Sequence, residues 1–210
     1  MPPTPPVATL DPEEVQVGTA NGPGLWLAPA GTPPPAKTYE PWPLPWRLLG
    51  YLSDDGPTVG QSTDSEALTP WQSRVPIRTV ITGREITMQF VMWQLNPLTL
   101  ALYFDADEPA EGADGSIHME LRSDAPTHLY AVGIDTRDGD TVFRIAFGRA
   151  SLSDAGDMAI TSGSAVPLDV TLSALDDGGS LGYVDLGPAE DPGNGNGNGN
   201  GRRAPAEKAA

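Results

Sequence analysis

Hydrophobic and polar positions alternate over several short runs of this chain, and turn residues interrupt them at close intervals. That is the period of half-buried β-strands. The clearest alternation covers residues 84–93, where Ile86, Met88, Phe90 and Met92 share one face and Glu85, Thr87 and Gln89 the other. Set against residues 77–82 across Gly83, this stretch reads as a hairpin. Shorter strands are expected at residues 24–29, 48–52, 117–122, 128–136, 141–149, 166–173 and 181–186. Asp138-Gly139 is the expected turn between the 128–136 and 141–149 strands, in which Tyr130, Val132 and Ile134 face Phe143, Ile145 and Phe147. One helix is expected: Leu98, Leu100, Ala101, Leu102 and Phe104 follow Asn96-Pro97, where Asn caps and Pro takes the first helical position. The pattern predicts a mainly β fold, an antiparallel β-sandwich with one flanking α-helix and long extended arms.

The arms are the stretches without periodicity. Residues 48–72 open as a strand, turn at Ser53-Asp54-Asp55-Gly56-Pro57 and continue through a Thr/Ser/Asp-rich segment to Trp71. A polar loop of that length does not stabilise itself inside a compact domain, so it is expected to be ordered by something outside the subunit. Residues 1–23 are Pro-rich and acidic and read as an extended N-terminal arm. Residues 24–191 hold the folded domain. Residues 192–210 alternate Gly and Asn before a short Ala/Glu/Lys end, with nothing to bury, and read as a flexible tail. The Pro-Trp-Pro-Leu-Pro-Trp run at 41–46 must be an extended connection, because proline neither continues a helix nor donates to a ladder. Trp42 and Trp46 are expected to anchor it to the domain; a carbohydrate platform is the weaker alternative.

Composition narrows the functional classes. The 210 residues include 24 Gly and 23 Pro with 19% charged side chains, in keeping with β structure rich in turns. Cysteine is absent, which excludes disulfides and Cys-ligated zinc and suits a reducing cytoplasm. The first residues lack the basic and apolar regions of a signal peptide, and no run approaches membrane-spanning length. The net charge is −16. Three bases (Arg202, Arg203, Lys208) and one acid (Glu207) fall after Pro192, so the body is more acidic still, and it repels a phosphate backbone instead of holding one.

Catalytic and cofactor signatures are missing. There is no Walker loop, nucleophile elbow or His-Glu-x-x-His motif. The acidic stretch 105–115 fails as a calcium loop, because Pro109 and Ala110 stand at its fifth and sixth positions, the latter needing glycine. The Gly/Asn tail fails the dinucleotide fingerprint at Asn198. His118 and His128 lack an evident third ligand or convergent carboxylate and read as surface residues. Asp54 and Asp55 are adjacent, poor geometry for a carboxylate pair flanking a glycosidic bond. No enzyme and no cofactor are expected.

Three segments, in order, resemble the major tail tube protein of long, non-contractile-tailed phages of actinobacteria. They are Gly24-Leu25-Trp26-Leu27-Ala28-Pro29-Ala30-Gly31-Thr32; then Leu49-Gly50-Tyr51-Leu52-Ser53-Asp54-Asp55-Gly56 with its polar continuation to Trp71-Gln72; and Trp93-Gln94-Leu95-Asn96-Pro97 onward to Tyr103. The resemblance covers residues 24–104, with Gln94 where the family has an acidic residue. It implies a structural virion protein whose copies form hexameric rings, joined through a continuous β-barrel and stacked around a tape measure protein. Tail terminator and distal tail proteins would be further partners, double-stranded DNA would pass in transit without being bound, and no membrane is involved. Within that frame Tyr51, Ser53, Gly56, Thr63, Leu68 and Trp71 are the expected inter-subunit contacts. Asp54, Asp55, Asp64 and Glu66 are the expected lumen-facing acids. The alternatives are a carbohydrate-binding β-sandwich using Trp42, Trp46 or Trp71 and, more weakly, a secreted β-sandwich hydrolase.

Overall fold

The computed structural model describes residues 24–124 and 126–192. The expected N-terminal arm and Gly/Asn tail lie outside the described residues. Eight strands and one helix follow one another as β1 (Gly24–Pro29), β2 (Arg47–Leu48), β3 (Thr58–Leu68), β4 (Arg78–Met92), α1 (Pro97–Tyr103), β5 (Leu129–Asp138), β6 (Thr141–Ala155), β7 (Leu168–Ala174) and β8 (Tyr183–Pro188). They form one antiparallel sheet in the order β2-β1-β5-β6-β7-β4-β3, with β8 paired to β6. β6 is long enough to carry two neighbours in succession along one edge. Its first half, Thr141 to Ala146, pairs with β8, and its second half, Ala150 to Ala155, pairs with β7.

The sheet curls over its own apolar face. Leu25 and Leu27 of β1 lie in the same buried cluster as Met88, Phe90 and Met92 of β4 and Leu168, Val170 and Leu172 of β7, although β5, β6 and β7 separate β1 from β4 in the strand order. Each such large side chain contributes about 1.5–3 kcal/mol of burial, and the arrangement is sandwich-like. Residues 49–53 bridge the two ends of the curl. The Leu49 N–H donates to Leu25 O (2.9 Å), the Ser53 N–H to Val91 O (2.8 Å), and the Trp93 N–H to Tyr51 O (3.0 Å).

The helix is where the sequence places it. Asn96 Oδ1 accepts from the Thr99 N–H and Thr99 Oγ1 accepts from the Asn96 N–H, both at 3.0 Å, a reciprocal cap that satisfies two otherwise orphan donors. The helix lies against β7, and the Tyr103 hydroxyl donates to Gly156 O beyond β6 (2.6 Å). In the β5–β6 hairpin Val132 lies opposite Phe147 and Ile134 opposite Ile145 as expected, but Phe143 faces Thr136, and a register shift beside Val132 sets Tyr130 opposite Ala150; Gly139 at φ +56 makes the turn.

Four expectations are corrected. Residues 77–93 are not a hairpin about Gly83: β4 runs unbroken, and Gly83 sits opposite Asp64 of β3 where one extra residue, Thr82, makes a bulge. The bulge shifts the alternation by one, which is why the sequence broke there. The polar arm is not irregular either. Its residues 58–68 form β3, paired with β4 along its whole length, because ladder hydrogen bonds order a strand exposed on both faces without any apolar alternation. The expected strand 117–122 reduces to one bridge between Glu111 and Ile117. The expected strand 48–52 is the two residues of β2 plus a bridge from Leu52 to Met92.

The opposite face of β1, β5 and β6 is covered by the proline-rich segment. Trp42 and Trp46 are buried with Ala28, Ala131 and Ala146, and they anchor this segment as expected. Beneath it Arg144 and Asp135, directly opposite on β6 and β5, form a buried bidentate pair, Nε to Oδ1 at 2.6 Å and Nη2 to Oδ2 at 2.9 Å. Replacing Arg144 by Leu is expected to destabilise the chain by about 3–5 kcal/mol, since Asp135 is then a buried charge without its partner. Chemical denaturation measures this, and Arg144→Leu,Asp135→Leu together should be less destabilised than Arg144→Leu alone.

Candidate functional site

β3 and the first half of β4 extend past the body. β4 meets β7 only from Thr87 to Met92, so residues 78–86 have β3 alone as a neighbour. This two-stranded ribbon is exposed on both faces almost throughout. Because β3 has no bulged residue of its own, it alternates regularly. Val59, Gln61 and Thr63 continue the core-facing side of β4, and Ser62, Asp64, Glu66 and Leu68 lie on the other.

An apolar group crowns the ribbon. Trp71 is 97% exposed in the connection between the strands, with Ile77 at 72%, Val75 at 67% and Ile81 at 63% close by in sequence. The Ser73 N–H donates to Pro70 O (3.1 Å) and the Ile77 N–H to Leu68 O (3.0 Å), so the connection is turned back on itself. Arg74 and Arg78 flank this group, in a chain with few basic residues.

The expected contact residues therefore divide between two places. Tyr51, Ser53 and Gly56 lie at the base of the ribbon, where residues 51–53 meet β4, and Tyr51 is well exposed. Gly56 holds φ +70 in the turn into β3, a conformation that favours glycine. Thr63, Leu68 and Trp71 lie along the projecting part and its tip. The acidic candidates divide in the same way, Asp54 and Asp55 in the basal turn and Asp64 and Glu66 on one face of β3. Residues 58 to 66 span about 26 Å of extended strand, so the four carboxylates are not one cluster. Trp42 and Trp46 are buried, so they offer no platform to a sugar ring.

A second feature, not evident from the sequence, lies where the end of β1 meets the start of β5, beside the first turn of α1. A pocket of about 250 Å³ is walled by Leu27, Pro29, Pro45, Leu98, Leu129 and Tyr130, with Arg47, Glu108 and His128 on its polar side. The Tyr130 hydroxyl is buried and meets no protein partner at hydrogen-bonding geometry. Burial, and after it the nearby charge of Asp105, push this phenol well up. Arg47 grips Glu108 through two hydrogen bonds of 2.6 and 2.7 Å, which hold the Glu108 carboxyl below its usual range. His128 has acceptors at both ring nitrogens, the Asp105 carbonyl 3.1 Å from Nδ1 and the Asp107 carboxylate 3.1 Å from Nε2. No spacing rule links the lining residues, which come from five separate segments.

Partial burial alone would push the His128 imidazole down; the Asp107 hydrogen bond and the charge and hydrogen bonds of Asp105 outweigh it, and the net shift is upward from the ordinary 6.5. A raised folded-state pKa contributes stability that is full below about pH 6.5 and is lost as pH rises through the folded value. His128→Gln should therefore lose most stability relative to the parent below pH 6.5, with the gap closing at alkaline pH. A pH-independent difference in thermal unfolding would contradict this.

Open edges complete the picture. Among the described residues β3 pairs only with β4 and β8 only with β6, and β8 carries Val184 and Leu186 exposed on the side that faces the core. Unpaired edges invite added strands, and a ribbon with an apolar tip invites a docking surface; together they define a subunit that builds on other chains. The sequence matches the phage tail tube protein family over residues 8–184, and the chain belongs to that family. It is a structural component of the virion tail that works in an oligomeric assembly with other tail components. Among solved structures it is similar to a chain of the cryo-EM structure of the anti-feeding prophage (AFP) baseplate, 6-fold symmetrised. The identity is 11% and the TM-score 0.36, over 79% of this chain and 91% of that one. No curated protein matches the sequence.

Proposed function

We propose that the chain is the repeating subunit of the tail tube of a long, non-contractile-tailed actinobacterial phage, assembled in the host cytoplasm. Copies close into hexameric rings and the rings stack around a tape measure protein, with tail terminator and distal tail proteins at the two ends. Double-stranded DNA passes through the finished tube at ejection. The observation that carries this reading is the exposed β3–β4 ribbon in a tail tube family member: an isolated two-stranded hairpin is marginal in water, and neighbouring copies would supply the missing contacts. The free edges of β3 and β8 are the places where sheets of adjacent copies would join. Electron microscopy of the purified, concentrated protein tests the proposal, with rings or tubes expected; a chain that stays monomeric under all conditions overturns it.

Tyr51, Ser53, Gly56, Thr63, Leu68 and Trp71 are the proposed inter-subunit contacts, and Trp71 is the decisive one. Exposed aromatic anchors dominate interfaces once buried. Trp71→Ala should leave thermal unfolding of the free subunit within about 0.5 kcal/mol of the parent, as for a surface substitution, and should strongly reduce polymerisation by light scattering. Unimpaired tubes would remove Trp71 from the interface.

Asp54, Asp55, Asp64 and Glu66 are the proposed lumen acids. A closed ring multiplies each charge by its subunit number, and an acidic wall keeps DNA moving, whereas a basic wall would hold it. Screening over about 8 Å at physiological salt confines the effect to side chains that face the channel. Lysine at these four positions should preserve tubes and slow genome ejection, most at low salt. A tube structure with the four on its outer wall would reject the assignment, and unchanged ejection after reversing proven lumen acids would reject the mechanism.

A further inference from the structure

We infer that Trp71 of one copy inserts into the pocket bounded by Leu98, Pro45 and Tyr130 of a second copy, a knob-and-hole contact that joins subunits head to tail. The inference rests on the tube-subunit reading and supplies the receptor that reading lacks. Four observations support it. The first is size: an apolar cavity of about 150 Å³ holds benzene, and scaling from six ring atoms to nine gives about 225 Å³ for an indole, against the 250 Å³ of the pocket.

The second is chemistry. The pocket wall is mostly apolar, formed by Leu27, Pro29, Pro45, Leu98 and Leu129, and suits an indole ring that leaves water. The Arg47 guanidinium on its polar side can lie against the indole face.

The third is charge. Arg74 and Arg78 flank the knob, while Asp107 and Glu111 stand exposed in the acidic stretch beside the hole, next to the Arg47–Glu108 pair. In a chain of net charge −16, these are the complementary patches that set orientation and speed encounter.

The fourth is placement. Trp71 lies beyond the Arg78 end of β4, and Leu98 follows its Met92 end by six residues. The projecting part of β4, residues 78–86, sets the tip about 26 Å beyond the body on whose core Leu98 packs. A knob and a hole at different places on the subunit make a heterologous contact, which repeats from copy to copy around a ring or along a stack instead of closing a pair.

The test exploits the two halves separately. Trp71→Ala removes the knob and keeps the hole; Leu98→Trp fills the hole and keeps the knob. Each alone should lose tubes, and a mixture of the two should form short complexes in which the Leu98→Trp knob occupies the Trp71→Ala hole, without elongation. Leu98→Trp tubes as long as the parent's would overturn the inference. Because that substitution touches the core, a second measurement stands beside it. The chain has no cysteine, so Gln72→Cys and Glu108→Cys subunits, mixed, assembled and oxidised, should give a disulfide-linked dimer that neither gives alone. Parent tubes together with no such dimer overturn the knob-and-hole contact and leave the tube reading standing. A parent chain that never assembles overturns the tube reading beneath it. A link formed within one chain bearing both cysteines, in the monomer, also overturns the inference.

Discussion

The buried pair of Arg144 and Asp135 is the contact on which the arrangement of this subunit turns. Two ions taken out of water cost several kcal/mol each, and their attraction compensates only when the remaining hydrogen-bonding groups are also satisfied. Here the satisfaction comes from a segment that cannot join the sheet. Arg144 donates to the carbonyls of Lys37 (2.9 Å), Thr38 (3.3 Å) and Glu40 (3.2 Å), while Trp42 Nε1 donates to Asp135 Oδ2 (2.8 Å) and the guanidinium lies 4.7 Å from the Trp42 ring centroid. Prolines on either side keep this stretch out of a ladder, which leaves its carbonyls free to accept. At Gly133 an added Cβ would meet the Trp42 ring at 2.1 Å, so glycine there lets the indole rest on the strand.

From that anchor the chain has little freedom. Trp46, held by Nε1 donating to Pro33 O (3.0 Å), delivers the chain into β2, and residues 49–53 then cross from β1 to β4 and close the curled sheet. Gly50 makes the crossing at φ +101, where a Cβ would collide with Gln94. The ribbon therefore leaves the body from a base fixed on one side by the Asp135–Arg144 site and on the other by β4. A ribbon exposed on both faces points reproducibly only if its base is rigid, and here β4 runs from the ribbon straight into the sheet, while the ion pair ties the proline-rich segment to the same sheet.

How much of this the sequence shows depends on whether a residue's neighbours are local. The capped helix at Asn96-Pro97 and the β5–β6 hairpin were legible because a cap and a turn are written within a few residues. The family resemblance was legible for the same reason, through short ordered motifs. β3 was not, because a strand exposed on both faces carries no alternation, and the bulge at Thr82 hid the continuity of β4 by shifting its apolar face. Arg144, between Phe143 and Ile145, carries no local mark of its role. In β alternation it does point away from the main core, but a distant segment covers that face, and no local pattern reveals the cover. The pocket beside Tyr130 was invisible for the same reason.

Exposure in the free subunit takes on a different meaning once the chain is seen as a tail tube protein. The tip of the ribbon, the edge of β8 and the pocket expose apolar surface that a monomer would be expected to cover, yet the body is closed and capped with care. Apolar surface left open in this way stabilises nothing within the subunit, and burying it against another chain would release that free energy. The net acidity bears on this too: like-charged subunits repel at long range, and under the proposed contact the arginines at the ribbon tip would favour one relative orientation. A contact between two different places on the subunit would repeat from copy to copy, whereas a self-complementary patch would pair and stop.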